Sequence, residues 1–581
     1  MFSKFYILRT LLEQEISSQR ELSKHTNFSL GKVNSLLNDC INRGYVNNFK
    51  ITQEGLRFLE EYEVDNAIIM AAGFGSRFVP YTYDTPKGLM EVHGERMVER
   101  LIKQLQEVGI KKIYVAVGYL KEKFEYLVLK YGVELIHNPD YHRFNNISTL
   151  YHAQDVMKNT LIMPSDIYIT ENMFHKYEYK SWYATTYFEG ETDEWTVHTA
   201  PNGLITDMEI GGKDVVGLYG PTFFDAKTSK EIIEAVNHDI KIAGKEQYYW
   251  ENCWLDRINK IQIFSNEVKR DSIFEFESIE ELRVYDTSYL TETKNEMITI
   301  ICDVFGVSSQ DISGIESMKK GMTNDSFIFR VNNKSYVFRA PGKGTEQLIN
   351  RRQEAEVYQT INPLKISDKL YYINPHNGYK ISRYYEHCES INHDDIPQAF
   401  KILRTLHTSG ISVDHTFDLE ERIAYYMMLC KDSNAILFDD INEVSKLIEE
   451  EIEYLKQLDR PKVLCHIDPV ESNFVKLYDG SLRLLDWEYA GMSDPILDIA
   501  MHAIYSGHQE TRILELIEIY LERKPTKQET KILYMYVSLS GYLWALWAQF
   551  KQARGESFGS YALDQYHYAH KYARLALAME D

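Results

Sequence analysis

The chain is poor in the residues that build disulfide frameworks and flexible linkers. Its six cysteines are scattered over 581 residues without a C-x-x-C pair, so neither a disulfide scaffold nor a cysteine zinc site is expected. Only 14 prolines and 30 glycines are present, and no low-complexity linker or internal repeat is visible. The cysteine pattern is typical of a reduced, cytoplasmic protein.

Long apolar runs and excess basic charge are also absent. No 18 consecutive apolar residues occur, and no basic-then-apolar leader opens the sequence, so neither a membrane span nor a secretory signal is expected. The 64 Lys and Arg residues stand against 86 Asp and Glu residues, which gives a net charge of −22. Such a chain repels DNA and anionic membranes, and it suits cationic small molecules.

The first 63 residues have the pattern of a small helical module. Ser18 and Glu21 form a predicted capping box, Ser29 opens a second helix, and a short hairpin with a helix follows over residues 44–56. The segment resembles a winged helix-turn-helix. It carries eight basic and eight acidic residues, and its recognition helix would show only Lys32 and Arg43. This balance argues against a nucleic-acid partner and favours a docking or regulatory module.

Residues 64–290 alternate between strand and helix patterns. Strands are predicted at 67–71, 112–117, 133–136 and 161–163, and residues 97–108 carry one apolar helical stripe. This alternation predicts a mostly parallel, doubly wound α/β sheet with helices on both faces.

Residues 291–581 change character. Two alternating strands, 327–331 and 335–339, flank a turn at 332–334, and long helical segments with an aromatic-rich tail follow. The length of the chain excludes a single core, and we predict three domains at 1–63, 64–290 and 291–581.

A glycine-rich turn follows the first strand of the central segment. Backbone N–H groups there can cradle a polyphosphate, and Arg77 and Lys87 can neutralise a triphosphate and its pyrophosphate leaving group. A dinucleotide-binding turn would need glycine where Phe78 stands. The predicted nucleotide-binding residues are Ala71, Ala72, Gly73, Gly75 and Ser76.

The full spacing A-A-G-x-G-S-R-x-x-P-x-T-x-x-x-P-K resembles the sugar-nucleotidyltransferase superfamily. Within it, residues 66–285 are similar to bacterial phosphocholine cytidylyltransferases. Further shared motifs are Asn145-Asn146-Ile-Ser-Thr-Leu150, Met163-Pro-Ser-Asp166, Asp193-Glu194-Trp195, Tyr249-Trp250-Glu251-Asn252 and Ile273-Phe-Glu-Phe-Glu277-Ser.

This resemblance implies that the phosphate of phosphocholine attacks the α-phosphorus of CTP. It also implies an Mg²⁺ ion held by Asp166 and by Glu251, where the family commonly has Asp. Trp195, Tyr249 and Trp250 are candidates for an aromatic cage around a trimethylammonium group, and core packing is the alternative for each.

A second phosphate-handling motif lies about 380 residues downstream of the first. His466-x-Asp468 is followed by Asn473, and Asp486 comes after an apolar strand at 482–485. Kinase chemistry needs a base for the incoming hydroxyl, together with an amide oxygen and a carboxylate on Mg²⁺. H-x-D in place of H-R-D, and D-W-E in place of D-F-G, point away from protein kinases.

The segments 320–324, 338–345 and 350–354 closely resemble bacterial choline kinases, which implies a protein-kinase-like α+β fold and ATP as substrate. The resemblance implies Asp468 as base and Asn473 and Asp486 as Mg²⁺ ligands. Three further residues, Asn324, Arg339 and Glu354, fall at nucleotide-binding positions, with Arg339 in place of the usual strand lysine. By the same resemblance, Asp498 is structural.

The aromatic tail carries a possible choline site. Trp544 and Trp547 lie three apart on one helix face and match an aromatic pair of the family that encloses choline. Tyr505 is expected to complete a cation–π box and Glu488 to add negative charge, with core packing as the alternative.

The sequence therefore predicts a bifunctional enzyme. One domain would phosphorylate choline with ATP, and the other would couple phosphocholine to CTP for the decoration of cell-envelope glycans. Two alternatives stay open: the same reactions on ethanolamine or a related amino alcohol, and a metabolite-sensing DNA-binding regulator. The oligomeric state is not predicted.

Overall fold

The computed structural model of the chain describes residues 2–291, 295–318, 324–342, 349–555 and 559–580. These residues form two compact units, Met1–Thr299 and Ile300–Asp581. No helix within the described ranges is both long and apolar enough to cross a bilayer. The mixed α/β fold class is confirmed, whereas the three predicted domain boundaries stay a prediction.

The first unit begins with the predicted winged helix-turn-helix. The Ser18 side chain accepts the N–H of Glu21, and the Ser29 side chain accepts that of Lys32, so both predicted N-caps are present. The Glu21 carboxylate reaches back to the Ser17 N–H. The elements are α1 (Phe2–Glu13), α2 (Gln19–Thr26), α3 (Leu30–Asn42), β1 (Val46–Asn47), β2 (Lys50–Ile51) and α4 (Gln53–Glu60).

The winged helix packs directly on the segment that leads into the long hairpin of the central fold. Arg9 is buried and donates at 3.1 Å both to the Glu178 carboxylate and to the Tyr177 carbonyl. An antiparallel bridge joins Glu63 to Tyr177. Phe2, Phe5, Tyr62 and Tyr179 form an aromatic cluster with ring centroids 5.2–5.6 Å apart. Apolar and charged contacts therefore hold this module against its neighbour.

The central fold is a seven-stranded sheet in the order β12-β10-β11-β8-β3-β6-β7. Strand β3 pairs in parallel with β6 and β8, which confirms the predicted parallel core of the sheet. The strands of this region are β3 (Asn66–Ala71), β4 (Glu91–Val92), β5 (Glu95–Arg96), β6 (Ile113–Val117), β7 (Glu134–His137), β8 (Thr160–Pro164), β9 (Ile167–Ile169), β10 (Trp182–Thr199), β11 (Ile205–Phe224), β12 (Phe264–Glu267) and β13 (Ile273–Glu275).

Helices cover both faces of this sheet. Ala67 and Ile69 of β3 pack in one core with Leu101, while Ile68 between them packs in the other core with Leu150. This alternation is what a doubly wound sheet requires. The helices are α5 (Tyr81–Asp84), α6 (Met97–Glu107), α7 (Tyr126–Tyr131), α8 (Ile147–Ala153), α9 (Ala226–Asp239), α10 (Trp250–Leu255), α11 (Ile279–Tyr285), α12 (Ser288–Thr291) and α13 (Glu296–Phe305).

The long antiparallel hairpin β10–β11 was not predicted. It spans residues 182–224, and its register shifts several times. Charged residues and Gly190 interrupt the alternation of β10 over positions 189–194, so that the period-2 pattern is lost there. The hairpin matters because it carries Glu194 toward the end of β8.

The second unit begins with a five-stranded antiparallel sheet in the order β14-β15-β16-β18-β17. The predicted turn is shorter than expected: Asn332 and Asn333 adopt φ values of 52° and 58°, and Lys334 already belongs to the next strand. Two residues with positive φ are typical of a tight hairpin turn. The strands are β14 (Ser313–Ser317), β15 (Asn324–Val331), β16 (Lys334–Pro341), β17 (Leu370–Ile373), β18 (Lys380–Arg383), β19 (Glu389–Ser390), β20 (Val463–Cys465), β21 (Phe474–Lys476), β22 (Leu482–Leu484) and β23 (Gly491–Ser493).

Helices dominate the rest of this unit, as predicted. Helix α20 is buried along most of its length and forms the centre of the largest apolar core. The helices are α14 (Arg351–Ile361), α15 (Ile396–His407), α16 (Leu419–Asp432), α17 (Ile441–Lys456), α18 (Pro495–Tyr505), α19 (Glu510–Leu521), α20 (Lys527–Ala553) and α21 (Tyr561–Leu577).

Replacing Arg9 with Ala tests the docking of the winged helix. Because the change leaves Glu178 buried without its cation, we expect a loss of about 3–5 kcal/mol in the free energy of unfolding of this unit, measured by denaturant titration. The control is Arg57→Ala, which removes only an exposed pair with Glu54. Equal stability of the two variants would contradict the docking described here.

Candidate active sites

The glycine turn after β3 is shaped by a positive φ and by close packing. Gly75 has φ +68°, and a Cβ there would lie 3.1 Å from Thr82 Cγ2 and 3.3 Å from Lys87 Cβ. The Thr82 hydroxyl also donates to the Gly75 carbonyl at 3.0 Å. A Cβ on Gly73, in contrast, would meet no atom within 4 Å. The turn is therefore closely packed at Gly75, whereas at Gly73 it borders open space.

The turn lines a cavity of about 450 Å³. All five predicted nucleotide-binding residues line it, as do the predicted catalytic residues Arg77 and Lys87, the predicted metal ligand Asp166 and the predicted cage residue Tyr249. Residues far apart in the sequence thus meet where β3 and β8 end, because these parallel strands end at the same edge of the sheet.

Both cations of this site are paired with carboxylates. Lys87 Nζ lies 2.6 Å from an Asp166 carboxylate oxygen and 4.6 Å from the centre of the Phe78 ring. Arg77 forms an ion pair with Glu277, and both side chains are largely exposed. These pairs keep the cations at the cavity until another anion competes for them.

Two further carboxylates, Glu194 and Glu275, belong to this site and were not among the predicted site residues. The register of β13 against β9 sets Glu275 opposite Ile167, the residue after Asp166. Burial raises the pKa of Glu275 to about 8, and the charge of Asp166 adds to the effect. Burial, with the nearby Glu277 charge, raises the pKa of Glu194 to about 7. The alternating acids in Phe274-Glu275-Phe276-Glu277 were a signal that could have identified Glu275.

Glu251 lies behind the cavity wall. Its side chain is buried, and it accepts hydrogen bonds from the Tyr183 hydroxyl at 3.1 Å and the Asn146 amide at 3.3 Å. Burial raises its pKa to about 7. It is not among the residues that line the cavity beside Asp166. Its role as a metal ligand stays a prediction.

The three predicted cage residues are placed differently. Tyr249 is 44% exposed and lies at the cavity. Trp250 is fully buried and stacks on Tyr183 and Trp254, with ring centroids 5.7 and 6.3 Å apart, so that in this arrangement it contacts core residues. Trp195 is half-buried and packs against the same core. The structure therefore brings only Tyr249 to the cavity.

The second unit contains the ion pair between Arg339 and Glu354. Arg339 on β16 donates to Glu354 on α14 at 2.7 Å, and both side chains are buried. Arg351 also donates to Glu354, at 3.1 Å, and to Glu488 at 3.2 Å. Asp486 lies 3.5 Å from Arg339. Arg339 thus stands on the strand where the family usually has a lysine. The Glu488 carboxylate lies next to two cations, Arg339 and Arg351. The side chain of Asn324 lies outside the described residues.

The predicted catalytic loop follows β20. The Asn473 amide donates to the Asp468 carboxylate at 3.1 Å and to its carbonyl at 2.9 Å, which brings two of the predicted functional groups together. Burial raises the pKa of Asp468 above its usual range, and the charges of Asp486 and Glu488 add to the effect. The loop is strained, since the β-branched Ile467 has φ 72°.

Asp498 holds this strained loop in place. Its carboxylate accepts the backbone N–H groups of His466 at 2.9 Å and Ile467 at 2.7 Å, and the His407 ring lies 3.0 Å away. The Asp498 carboxylate is fully buried. These contacts fit the structural role expected for this residue.

The loop opens into a cavity of about 840 Å³ that is lined by aromatic side chains. Trp544 is the central ring: the centroids of Tyr489, Tyr505 and Trp547 lie 5.5, 5.7 and 5.7 Å from it. Tyr561 lies 6.5 Å from Trp547. The predicted Tyr505, Trp544 and Trp547 are thus joined by two rings that the sequence analysis missed, although Tyr489 directly follows Glu488. Asp486, Asp468 and Asn473 line the same cavity.

Comparison with protein families gives three matches along the chain. A winged helix-turn-helix DNA-binding model matches residues 4–47, and a MobA-like NTP transferase domain model matches residues 67–186. A choline/ethanolamine kinase model matches residues 315–575.

Individual relatives cover the two larger parts. A choline-phosphate cytidylyltransferase of Streptococcus pneumoniae is 35% identical over 37% of this chain and 95% of its own length. A 2-aminoethylphosphonate cytidylyltransferase of Lancefieldella rimae is 36% identical over 39% of this chain and 94% of its own length. The crystal structure of the choline kinase LicA from Streptococcus pneumoniae is 28% identical, covers 48% of this chain and 100% of that one, and has a TM-score of 0.43.

Replacing Asp498 with Ala tests the support of the loop. The change leaves two buried N–H groups without an acceptor, so we expect a loss of about 2–5 kcal/mol in the free energy of unfolding of the second unit. Denaturant unfolding followed by tryptophan fluorescence measures it. The exposed Asp459→Ala serves as control, and a variant as stable as this control would contradict the assigned role.

Proposed function

Since this chain belongs to the choline-phosphate cytidylyltransferase family by the sequence of its first unit, we propose that it is a bifunctional enzyme of CDP-choline synthesis. Its second unit phosphorylates choline with ATP, and its first unit transfers the cytidylyl group of CTP to phosphocholine and releases pyrophosphate. The observation that carries the proposal is that the residues predicted to handle phosphate line two separate cavities in one chain. The first combines a glycine turn with Lys87 and Asp166, and the second combines a catalytic loop with an aromatic cavity.

Cytidylyl transfer requires that a triphosphate be held with its α-phosphorus open to attack. The space at Gly73 admits a phosphate next to the backbone N–H groups of the turn. Lys87 and Arg77 then exchange their carboxylate partners for phosphate oxygens and stabilise the charge that develops on the leaving pyrophosphate. The chain supplies charge and alignment, and no side chain need act as a nucleophile.

The carboxylates of the first site fit an oxygen-preferring cation. Burial raises the pKa of Glu275 and the charge of Asp166 adds to this effect, so a divalent ion beside both carboxylates would favour the ionised form of Glu275. We propose that Asp166 and Glu275 hold Mg²⁺. The resemblance to the family had implied Glu251 as the second ligand. Bound Mg²⁺ would supply positive charge to the triphosphate.

The same acidic surroundings suit a positively charged head group. Tyr249 offers a ring at the cavity, and Glu194 adds negative charge nearby. Attraction between a quaternary ammonium group and aromatic faces is strongest in sites that exclude water. This supports phosphocholine as the second substrate of the first site.

In the second unit, we propose Asp468 as the base that accepts the proton of the choline hydroxyl. Its raised pKa suits a group that must take up a proton, and Asn473 orients its carboxylate. Asn473 and Asp486 supply the amide and carboxylate oxygens that an Mg²⁺ ion of the nucleotide would need. Arg339, positioned by Glu354, faces the nucleotide phosphates.

The aromatic cavity favours choline over ethanolamine. Seven aromatic side chains line the cavity, and five of them form the ring cluster that contains Trp544, whose faces suit a trimethylammonium group without N–H donors. The carboxylate of Glu488 is engaged with Arg351, so we assign the negative charge near the head group to Asp468. The alternative is that both reactions act on ethanolamine and its phosphate. A comparison of the kinetics with choline and with ethanolamine distinguishes the two.

The winged helix is proposed as a docked regulatory module. Its recognition helix offers Lys32, whose ammonium group lies 3.9 Å from the centre of the Phe28 ring, and the charges of the segment balance. Such a surface attracts phosphates weakly, which argues against DNA binding. Because both reactions use cytoplasmic nucleotides, we place the enzyme in the cytoplasm, upstream of the decoration of cell-envelope glycans with phosphocholine.

Separate substitutions distinguish the two reactions. Lys87→Ala is expected to lower the rate of CDP-choline formation from CTP and phosphocholine by about 10²–10³-fold, because the leaving group loses its cation. The Lys87→Ala variant should phosphorylate choline at the unchanged rate. The Asp468→Asn variant should lose choline phosphorylation and retain CDP-choline formation from CTP and phosphocholine. Assays of purified protein for CDP-choline and phosphocholine measure both. Undiminished CDP-choline formation by K87A, relative to the exposed-lysine control Lys123→Ala, would refute the proposed site.

Replacing Trp544 with Ala tests the choline cavity. Loss of one desolvated cation–π contact of about 2 kcal/mol should raise the KM for choline about 30-fold, while the KM for ATP stays constant. Steady-state kinetics with choline and ethanolamine measure the change, and Tyr478→Ala at an exposed position is the control. A wild-type preference for ethanolamine would favour the alternative substrate.

A further inference from the structure

Three side chains with metal-binding groups converge beside the catalytic loop, outside both sites described above. They are Glu471 on the loop, His502 on α18 and His508 in the turn after that helix, and their ligand atoms lie within 4.8 Å of one another. We propose that these residues bind a divalent transition-metal ion such as Zn²⁺, which fastens the catalytic loop to the end of α18.

His502 is fixed in the protonation state that a metal requires. Its Nδ1 lies 2.8 Å from the Pro469 carbonyl, and since a carbonyl can only accept, Nδ1 must carry the proton. The lone pair is then on Nε2, which is buried and has no hydrogen-bond partner among the described residues. Metal-binding histidines typically donate their other ring N–H to a carbonyl in this way.

His508 reaches the same place because the chain reverses after α18. Gly507 has φ 66°, and the N–H of His508 donates to the Ala503 carbonyl at 3.1 Å. This folds His508 back over the last turn of the helix, 6.1 Å from the His502 ring. Its Nε2 is also buried without a partner among the described residues. Each of these two neighbouring rings thus has a buried Nε2 atom without a partner among the described residues.

Both imidazoles are suited to be neutral ligands. Burial lowers the pKa of His502 to about 4, and burial with the charge of Arg512 lowers that of His508. The positive charge of Arg512 opposes a cation, but Glu515 holds one of its N–H groups at 2.9 Å. The negative end of the α18 dipole and the carboxylate of Glu471 favour the cation.

The donor set identifies the class of metal. Two imidazoles and one carboxylate are ligands of zinc and related first-row ions, whereas Mg²⁺ prefers oxygen ligands alone. In a tetrahedral zinc site with bonds of about 2.0–2.1 Å, neighbouring ligand atoms are about 3.3 Å apart. From the present separations of at most 4.8 Å, metal binding would draw the three ligand atoms toward one another. Water would take the remaining position.

A second cluster of similar composition differs from this one because its polar groups already have partners in the protein. His407, Cys465 and Asp498 also lie close together. There both ring nitrogens of His407 have partners, the Tyr520 hydroxyl at 2.8 Å and Asp498 at 3.0 Å. Asp498 is occupied by the backbone of the loop. That cluster is satisfied by the protein itself, whereas the lone pairs of His502 and His508 are not.

The position of Glu471 makes the metal relevant to the loop. Glu471 stands between Asp468 and Asn473 and begins the short 3₁₀ turn Glu471–Asn473. Ligation would tie this turn to α18, in addition to the support from Asp498, through side chains that are not among those lining the aromatic cavity. An ion at this place therefore acts as a positioning element for the loop and takes no part in the transfer of phosphate.

The test uses the full-length chain after treatment with a chelator. In buffer with excess Mg²⁺, Co²⁺ is titrated and followed by its visible absorption bands, and Zn²⁺ is then added as competitor. We expect one equivalent of Co²⁺ with imidazole-type bands, displacement by Zn²⁺, and a Zn²⁺-dependent rise in Tm. His508→Gln should abolish all three, and the exposed His567→Gln should retain them.

Two results would overturn the proposal: no Co²⁺ bound by the wild-type chain in excess Mg²⁺, or equal binding and equal bands in the H508Q and H567Q variants, which would indicate an adventitious ion only. The Tm of metal-free H508Q shows whether that variant is folded. If it is not, Glu471→Gln serves in its place, and full retention of the bands by E471Q would equally refute the site. None of these readouts depends on the proposed enzymatic reactions.

Discussion

Pairing of a cation with a carboxylate is the interaction around which both candidate sites of this chain are organised. Lys87 is paired with Asp166 at the end of the central sheet, and Arg339 is paired with Glu354 between a strand and a helix of the second unit. A cation left alone in these surroundings would lose hydration without compensation. The pairs therefore fix the position of each cation at its cavity and compensate its charge.

The two pairs differ in how far they are buried, and this difference has a functional meaning. Arg339 and Glu354 are almost fully enclosed, so the guanidinium is fixed as part of the fold. Lys87 and Asp166 are open to a cavity, which leaves room for the exchange of partners that the proposed function requires. Arg77 and Glu277 are more exposed still. The first site is thus built for exchange of partners, and the second for permanent alignment.

Two buried charged residues outside the candidate sites hold neighbouring segments in position. Asp498 holds the backbone of a strained loop, and Arg9 anchors the winged helix against the segment that precedes the long hairpin. That hairpin carries Glu194 into the acidic group around Asp166. The winged helix, which the charge balance of its sequence favoured as a docking or regulatory module, is therefore packed against the region that shapes the first site. This arrangement is what makes a regulatory role for it physically reasonable.

The sequence by itself determined the local patterns and the chemistry of contiguous motifs. The caps at Ser18 and Ser29, the parallel strands of the central fold, the glycine turn and the Asp468–Asn473 spacing all depend on residues that are close along the chain. Tertiary structure decided which distant residues share a cavity. Glu275 joins Asp166 through strand register, Tyr489 and Tyr561 join Trp544 through helix packing, and Trp250 is drawn into the core by Tyr183 and Trp254. The periodicity of apolar side chains can be seen in the sequence. The residues against which an aromatic ring or a carboxylate packs depend on contacts between distant elements, and no local pattern encodes these contacts.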